Sequence, residues 1–169
     1  VKNINEKNKL LNSLLGCAIP TSWGIINKEL RIKTNESVLI LGTGGIGTTI
    51  FLLLKLNKNK NCLLIDKYKS KKQFINQING NYLDIKKIGK IKDKFDHVID
   101  TTGNTQIMKK AFDLVKKNGK FMLVGQPKKG DKLIINDALR LFNAPNDNIK
   151  ILTSDGGLFE PNNDMKFIE

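Results

Sequence analysis

The sequence predicts an α/β protein built on a doubly wound, parallel six-stranded sheet with helices on both faces. Three observations predict it. Apolar runs of strand length recur, at Val38–Leu41, Asn61–Asp66, Asp96–Thr102, Lys120–Gly125 and Asn148–Ser154. Helical patterns lie between them, and strands that alternate with helices pair in parallel through right-handed crossovers. The first run passes directly into Gly42-Thr43-Gly44-Gly45-Ile46-Gly47, which fits G-x-G-x-x-G and opens an apolar helix.

Each element has its own signal. Asn8–Ile32 reads as mainly helical, because Leu10, Leu11, Leu14 and Leu15 recur at helical spacing, with Pro20 and Gly24 expected to kink or divide it. Arg31–Glu36 is a polar connection, so residues 1–36 form a helical lead-in and residues 37–169 the sheet domain. Val38–Leu41 carries no polar residue, as a strand covered on both faces requires. Its helix runs to Leu54, and Asn57–Asn61 is a polar turn. Strand two ends at Asp66. Ser70 is expected to cap a helix over Lys71–Ile78, stopped by Gly80. Asn81–Ile85 reads as a short third strand and Lys86–Lys94 as a loop or single helical turn. Strand four is Asp96–Thr102. Thr105–Lys117 reads as a helix, with Ile107, Met108, Ala111, Phe112 and Val115 on one face and Asn118-Gly119 as its stop. Strand five is Lys120–Gly125, Leu133–Ile135 an edge segment and Asp137–Phe142 a short helix. Strand six, Asn148–Ser154, is apolar enough to be an open edge.

Composition narrows the function classes. A chain of 169 residues with 40% hydrophobic content supports one globular core. Cys17 and Cys62 give neither a disulfide framework nor a C-x-x-C site, and a reducing cytoplasm is the simplest setting. Ser37–Leu54 is uncharged and almost long enough to cross a membrane. Its four glycines and three threonines belong to the strand–turn–helix instead, so no membrane partner is expected. Val1–Lys9 has no apolar core of a signal peptide, and a start at valine reads as a fragment or processed piece. The formal charge of +13 would suit a nucleic-acid binder. Only Arg31 and Arg140 are arginines, and the lysines are spread along the chain, so nucleic acid is not the expected partner.

The glycine turn carries the chemistry. Gly42 allows the tight turn, Gly44 removes a Cβ where a pyrophosphate must approach, and Gly47 lets the helix pack on its strand. The helix start offers free N–H groups and partial positive charge to the phosphates. Asp66 lies 66 − 47 = 19 residues beyond Gly47. That suits the acid that accepts hydrogen bonds from the adenosine ribose, and its charge would repel a 2′-phosphate, favouring NAD over NADP. The alternative is a glycine turn with no ligand. Thr101 to Gly103 and Gly125 also fall at strand carboxyl ends, where glycine serves ligand approach or turn-making.

Four stretches together resemble the zinc-type medium-chain alcohol dehydrogenases: Gly16-Cys17-Ala18-Ile19-Pro20-Thr21-Ser22-Trp23-Gly24, Gly42–Gly47 with Asp66, Val98–Asn104, and Phe121–Pro127. The tail Ser154–Asp164 resembles the same family. The resemblance implies a Rossmann domain and a set of roles. Cys17 matches a cysteine ligand of catalytic zinc, and Thr21 a residue beside the nicotinamide. Gly42, Gly44, Gly45, Ile46 and Gly47 match the pyrophosphate turn, and Asp66 the ribose acid. Lys71 matches a lysine near that ribose. Thr101, Thr102 and Gly103, with Val124, Gly125 and Gln126, match segments lining the cofactor. In such an enzyme zinc polarises a small-molecule alcohol and hydride passes to NAD. The resemblance further implies a homodimer through the strand-six edge. Cys17 alone is otherwise a small apolar residue, Lys71 a solvated one, Cys62 core and His97 structural.

Two departures accompany it. The family's other zinc ligands, substrate pocket and proton relay lie in a domain that this sequence does not contain, so the expected function is NAD(H) binding without complete catalysis. The stretch between Gly80 and Phe95 is short, so one side of the sheet is expected to be thinly covered. A non-catalytic dinucleotide-binding or sensing module is the second reading, and a lysine-rich nucleic-acid-binding domain the third.

Overall fold

The computed structural model describes residues 16–167. Leu10, Leu11, Leu14 and Leu15 of the expected lead-in helix lie outside the described residues. Six strands form one all-parallel sheet: β1 (Val38–Leu41), β2 (Cys62–Asp66), β3 (Asn81–Asp84), β4 (Phe95–Asp100), β5 (Val115–Leu123) and β6 (Lys150–Thr153). Their order is β3-β2-β1-β4-β5-β6. The central strand β1 has Val38 beside Cys62 and His97, and Leu41 beside Ile65 and Asp100. All four of its residues are fully buried, as the unbroken apolar run requires.

Alternation along β1 sends its side chains to two separate cores. Val38 and Ile40 join Ile50 and Leu54 of helix α2 (Gly45–Leu56) and Ile75 of α3 (Ser70–Gln77). Ile25, Ile26 and Leu30 enter the same core from the lead-in, a helix α1 (Ala18–Gly24) that continues as a π-helical segment, Ile25–Leu30. Leu39 and Leu41 face the other way, onto Met108, Ala111 and Phe112 of α4 (Thr105–Phe112). Burial of these side chains drives the two-layer covering of the sheet.

Pro20 does not divide the lead-in. It is the third residue of α1, where a missing N–H breaks no internal bond. Gly24 does not divide it either, since the backbone stays helical through it at φ −64°. Ser70 opens α3 without capping it, and Lys69 holds the capping position with no side-chain bond. The helix expected over Thr105–Lys117 ends at Phe112, and β5 begins at Val115. Asn118, at φ 61°, lies inside β5 rather than closing a helix. The partner of Phe95 is Val115 and that of His97 is Lys120, so Asn118-Gly119 sits in a bulge.

Leu133–Ile135 forms no strand, and Asp137–Phe142 shortens to a 3-10 turn, Ala138–Leu141, capped by the Asp137 carboxylate. The short stretch after β3 forms a 3-10 helix, Ile85–Lys90, capped by Asp84. Its Ile88 is buried in the α4-side core, so this segment joins α4 in covering that face.

The amino ends of the strands are joined by charge. Asp96 Oδ2 accepts from Ser37 N–H at 2.7 Å, Ser37 Oγ at 2.6 Å and Lys116 Nζ at 2.8 Å. These donors overcome burial and hold the Asp96 carboxyl down at about 2. His97 Nε2 meets Glu36 Oε2 at 2.9 Å, while Nδ1 is buried without a protein partner. The described tail holds the short helix α5 (Pro161–Asp164) and a 3-10 turn, Met165–Phe167, and packs back near the lead-in through a Lys28–Asp164 ion pair.

Candidate functional site

The carboxyl ends of β1, β2 and β4 surround a cleft of about 230 Å³. Gly42, Gly44, Asp66, Thr101, Thr102 and Asn104 are among its walls. The chain leaves β1 at Gly42 with φ 93°, and a Cβ there would lie 2.6 Å from Thr101 Oγ1. A Cβ on Gly47 would run into the Gly42 carbonyl, so α2 packs this close only with glycine. Gly44 and Gly45 differ: a Cβ on either would meet nothing within 4 Å. The mouth of α2 is therefore clear. Its first internal bond runs from Thr48 N–H to Gly44 O, and Gly44 supplies no capping side chain. The N–H groups of Gly45, Ile46 and Gly47 have no acceptor within the helix, which is the cradle that an anionic pyrophosphate needs.

Asp66 ends β2 beside this mouth and is 8% exposed. Its Oδ2 accepts from both Thr43 N–H and Thr43 Oγ1, each at 2.7 Å. Its Oδ1 accepts from Tyr68 N–H at 2.9 Å. Burial pushes the carboxyl up, but the donors on Tyr68 and Thr43 outweigh it, and Asp66 stays below the usual carboxylate range. It is an anion with directed lone pairs at the place where a ribose would sit. The residues present thus fit a dinucleotide.

Asp100 fixes the opposite wall. It is fully buried; Oδ1 accepts from Thr102 Oγ1 at 2.6 Å and Oδ2 from Gly103 N–H at 2.9 Å. Burial dominates and raises its carboxyl above the ordinary value. Thr101 Oγ1 donates to Leu41 O at 2.8 Å, which ties this wall to β1. Gly103 and Gly125 have a packing reason of their own. A Cβ on Gly103 would run into the Gln126 carbonyl, and one on Gly125 into Gly103 N.

Val124, Gly125 and Gln126 do not line the Asp66 cleft. They border a second hollow of about 390 Å³ with Thr105, Met108 and Leu133. A third hollow of about 370 Å³ shares Thr102 and Asn104 with the cleft and Gln126 with the second, so space runs along the strand ends from Asp66 to Gln126. Thr21 is half-buried in α1, and Ser22 Oγ donates to Ile46 O at 3.4 Å, which sets α1 against the start of α2.

Lys71 is exposed and does not border the cleft; Lys67 and Tyr68 form its lip instead. Cys17 is exposed at the start of α1. Among the described residues no three His, Cys, Asp or Glu side chains are grouped to hold a metal. A closed or catalytic zinc site needs at least three protein ligands, so the described residues do not fit one by themselves. Sequence reasoning missed Thr43, Lys67, Tyr68, Asp100 and Asn104. Thr43 lies at a position where G-x-G-x-x-G asks nothing of the side chain. Asp100, an acid directly after the apolar pair Val98-Ile99 at a strand's carboxyl end, was the one detectable signal.

A family model described as the glucose dehydrogenase C-terminus matches residues 27–150. The chain belongs to that family. As a glucose dehydrogenase C-terminus domain it is 27% identical over 134 residues to the S-(hydroxymethyl)glutathione dehydrogenase of Saccharomyces cerevisiae, covering 71% of this chain and 35% of that protein. In structure it matches a benzyl alcohol dehydrogenase from Acinetobacter calcoaceticus with a TM-score of 0.83 at 21% identity, covering 99% of this chain and 47% of that one. It matches a short chain alcohol dehydrogenase of E. coli CFT073, solved with NADH, with a TM-score of 0.74 at 15% identity, covering 99% and 48%. Solved neighbours of this fold include chains with NADH, with NADP and with zinc. The resemblance to zinc-type medium-chain alcohol dehydrogenases therefore holds for this family member, and it spans about a third to a half of their length.

Proposed function

We propose that the chain is the NAD(H)-binding part of a zinc-dependent alcohol or polyol dehydrogenase. One observation carries this reading: the ionised Asp66 carboxylate stands beside a helix mouth kept open by Gly44 and Gly45. In it the α2 N–H groups receive the pyrophosphate and Asp66 accepts a hydroxyl of the adenosine ribose. A 2′-phosphate would bring like charge against Asp66, which favours NAD over NADP. Thr101 to Gly103, held by Asp100, form the facing wall. Thr21, Val124, Gly125 and Gln126 are the candidates for the nicotinamide side. Bound NAD supplies the hydride acceptor for a small-molecule alcohol.

Cys17 is a candidate zinc ligand in the same reading, and the chemistry of the metal is not assigned to the described residues. A homodimer is proposed through β6, which pairs only with β5 among the described strands and leaves its outer edge free. A cytoplasmic setting is proposed on the two free cysteines. The second reading is a non-catalytic dinucleotide-binding module, which would use the same Asp66 cleft.

The test is a fluorescence titration of the purified chain with NADH and NADPH, repeated on Asp66→Ala. Saturable NADH binding, weaker NADPH binding and a loss of roughly tenfold or more in the variant are expected. A folded chain that binds neither dinucleotide sinks the reading. Zinc-dependent alcohol oxidation by this chain alone would overturn the expectation of incomplete catalysis, and a zinc-ligand domain encoded in the same reading frame upstream of Val1 would separate the enzyme from the module.

A further inference from the structure

The turn pattern needs three glycines and leaves Thr43 free to vary, yet Thr43 is 2% exposed and spends both of its donors on one atom. Its N–H and its hydroxyl each reach Asp66 Oδ2 at 2.7 Å. A carboxylate oxygen has two lone-pair sites, so these two bonds fill Oδ2. Oδ1 accepts Tyr68 N–H at 2.9 Å, and Lys67 N–H is a further backbone donor to the carboxylate. The Tyr82 hydroxyl lies 3.1 Å from Asp66 O and 3.2 Å from Tyr68 O, which steadies the backbone that presents these donors.

We propose that Thr43 is the positioning residue of the ribose acid: its two donors hold Asp66 Oδ2 and so fix the plane of the carboxylate that receives a sugar hydroxyl. The proposal rests on the dinucleotide reading and deepens it. A ribose presents two neighbouring hydroxyls, and a carboxylate free on both oxygens can take them in more than one arrangement. Here Oδ2 is already held by Thr43. Thr43 also stands between Gly42 and Gly44, in the loop that leads to the phosphate cradle. The same residue therefore sets the distance between the phosphate half and the sugar half of the site. Its removal loosens Asp66 without touching a group that contacts the ligand.

The experiment compares NADH binding by the wild-type chain, Thr43→Val, Thr43→Ser, Asp66→Ala and the double variant Thr43→Val/Asp66→Ala. Thr43→Val keeps the shape and the backbone bond and deletes only the hydroxyl; Thr43→Ala replaces it if the branched side chain disturbs the fold. Loss of a hydrogen bond to a charged group should weaken NADH roughly tenfold in Thr43→Val, with Thr43→Ser restoring it. In the Asp66→Ala background the Thr43 substitution should change nothing. Carbon NMR of the aspartate carboxyls in the ligand-free chain should show Asp66 titrating at higher pH in Thr43→Val than in the wild type or Thr43→Ser. If Thr43→Val binds NADH like the wild type, or loses as much without Asp66, the proposal is overturned while the dinucleotide reading stands. A folded wild-type chain that binds no NADH overturns both.

Discussion

Gly24 and Gly157 interlock. A Cβ on Gly24 would run into the Gly157 carbonyl, and one on Gly157 into the Thr21 carbonyl. Gly157 also holds φ 75°, a conformation that L side chains resist. The contact joins the lead-in to the tail, next to Trp23, which stacks on Phe167 at 5.6 Å and meets Phe159 edge-on at 5.9 Å. Gly24→Ala should therefore cost about 2–3 kcal/mol by overpacking, and Gly157→Ala somewhat more through added backbone strain. Urea unfolding checks both, and a Gly24→Ala midpoint equal to the wild type would contradict the contact.

Asp96 supplies an acid limb to stability. Its folded carboxyl lies at about 2, below the unfolded value near 3.9. A depressed carboxyl stabilises the fold above the unfolded value, and the benefit is lost as pH falls from about 4 to about 2. Asp96→Asn should flatten the stability curve in that window, read by thermal unfolding at pH steps between the two values.

His97 acts in a higher window. Burial lowers its pKa, with Glu36 opposing, so the folded chain favours the neutral ring. Stability from His97 is then present above the unfolded pKa of about 6.5 and declines as pH falls below it. His97→Asn should remove that decline below about pH 6.5. A wild-type chain whose stability rises on acidification through this range would show the opposite sign.

Asp100 couples fold and site. Asp100→Ala strands the Gly103 N–H and the Thr102 hydroxyl, at a cost of about 1–3 kcal/mol, and slackens the cleft wall. NADH affinity should fall together with the unfolding midpoint. Because burial raises this carboxyl, its ionisation opposes folding, and Asp100→Asn should lessen the loss of stability as pH rises above the usual aspartate value. Denaturation at pH 4 and pH 7 distinguishes the two variants.

The parts of the fold that were legible in the sequence are those where one physical demand dominates. β1 and β2 are nearly pure apolar runs because both faces are covered, and the glycine turn is set by close packing at Gly42 and Gly47. Where two demands share a segment, the pattern misleads. Val115 fits the apolar face of a helix, yet it pairs with Phe95, and Lys116 beside it serves Asp96. Asn118-Gly119 looks like a helix stop because a left-handed residue ends helices and makes bulges equally well. In the site, Asp66 was legible from spacing alone, whereas Thr43 is set by a partner 23 residues away and leaves no periodic trace. Lys71 was carried by resemblance, but the lip falls to Lys67 and Tyr68 because the turn after β2 is already closed by Tyr68 N–H.

The charged joints of β1, β4 and β5 gather at the amino ends of those strands, and the hollows gather at the other end. The molecule is bound like a book, with Ser37, Asp96, Lys116, Glu36 and His97 along the spine and the reading edge left to glycines and short turns. Resistance to acid and ligand choice are thereby written in different places, with Asp100 the residue that serves both the cleft wall and the fold. Substitutions along the spine change how long the chain lasts in acid without reaching the open edge, because the length of the strands lies between them.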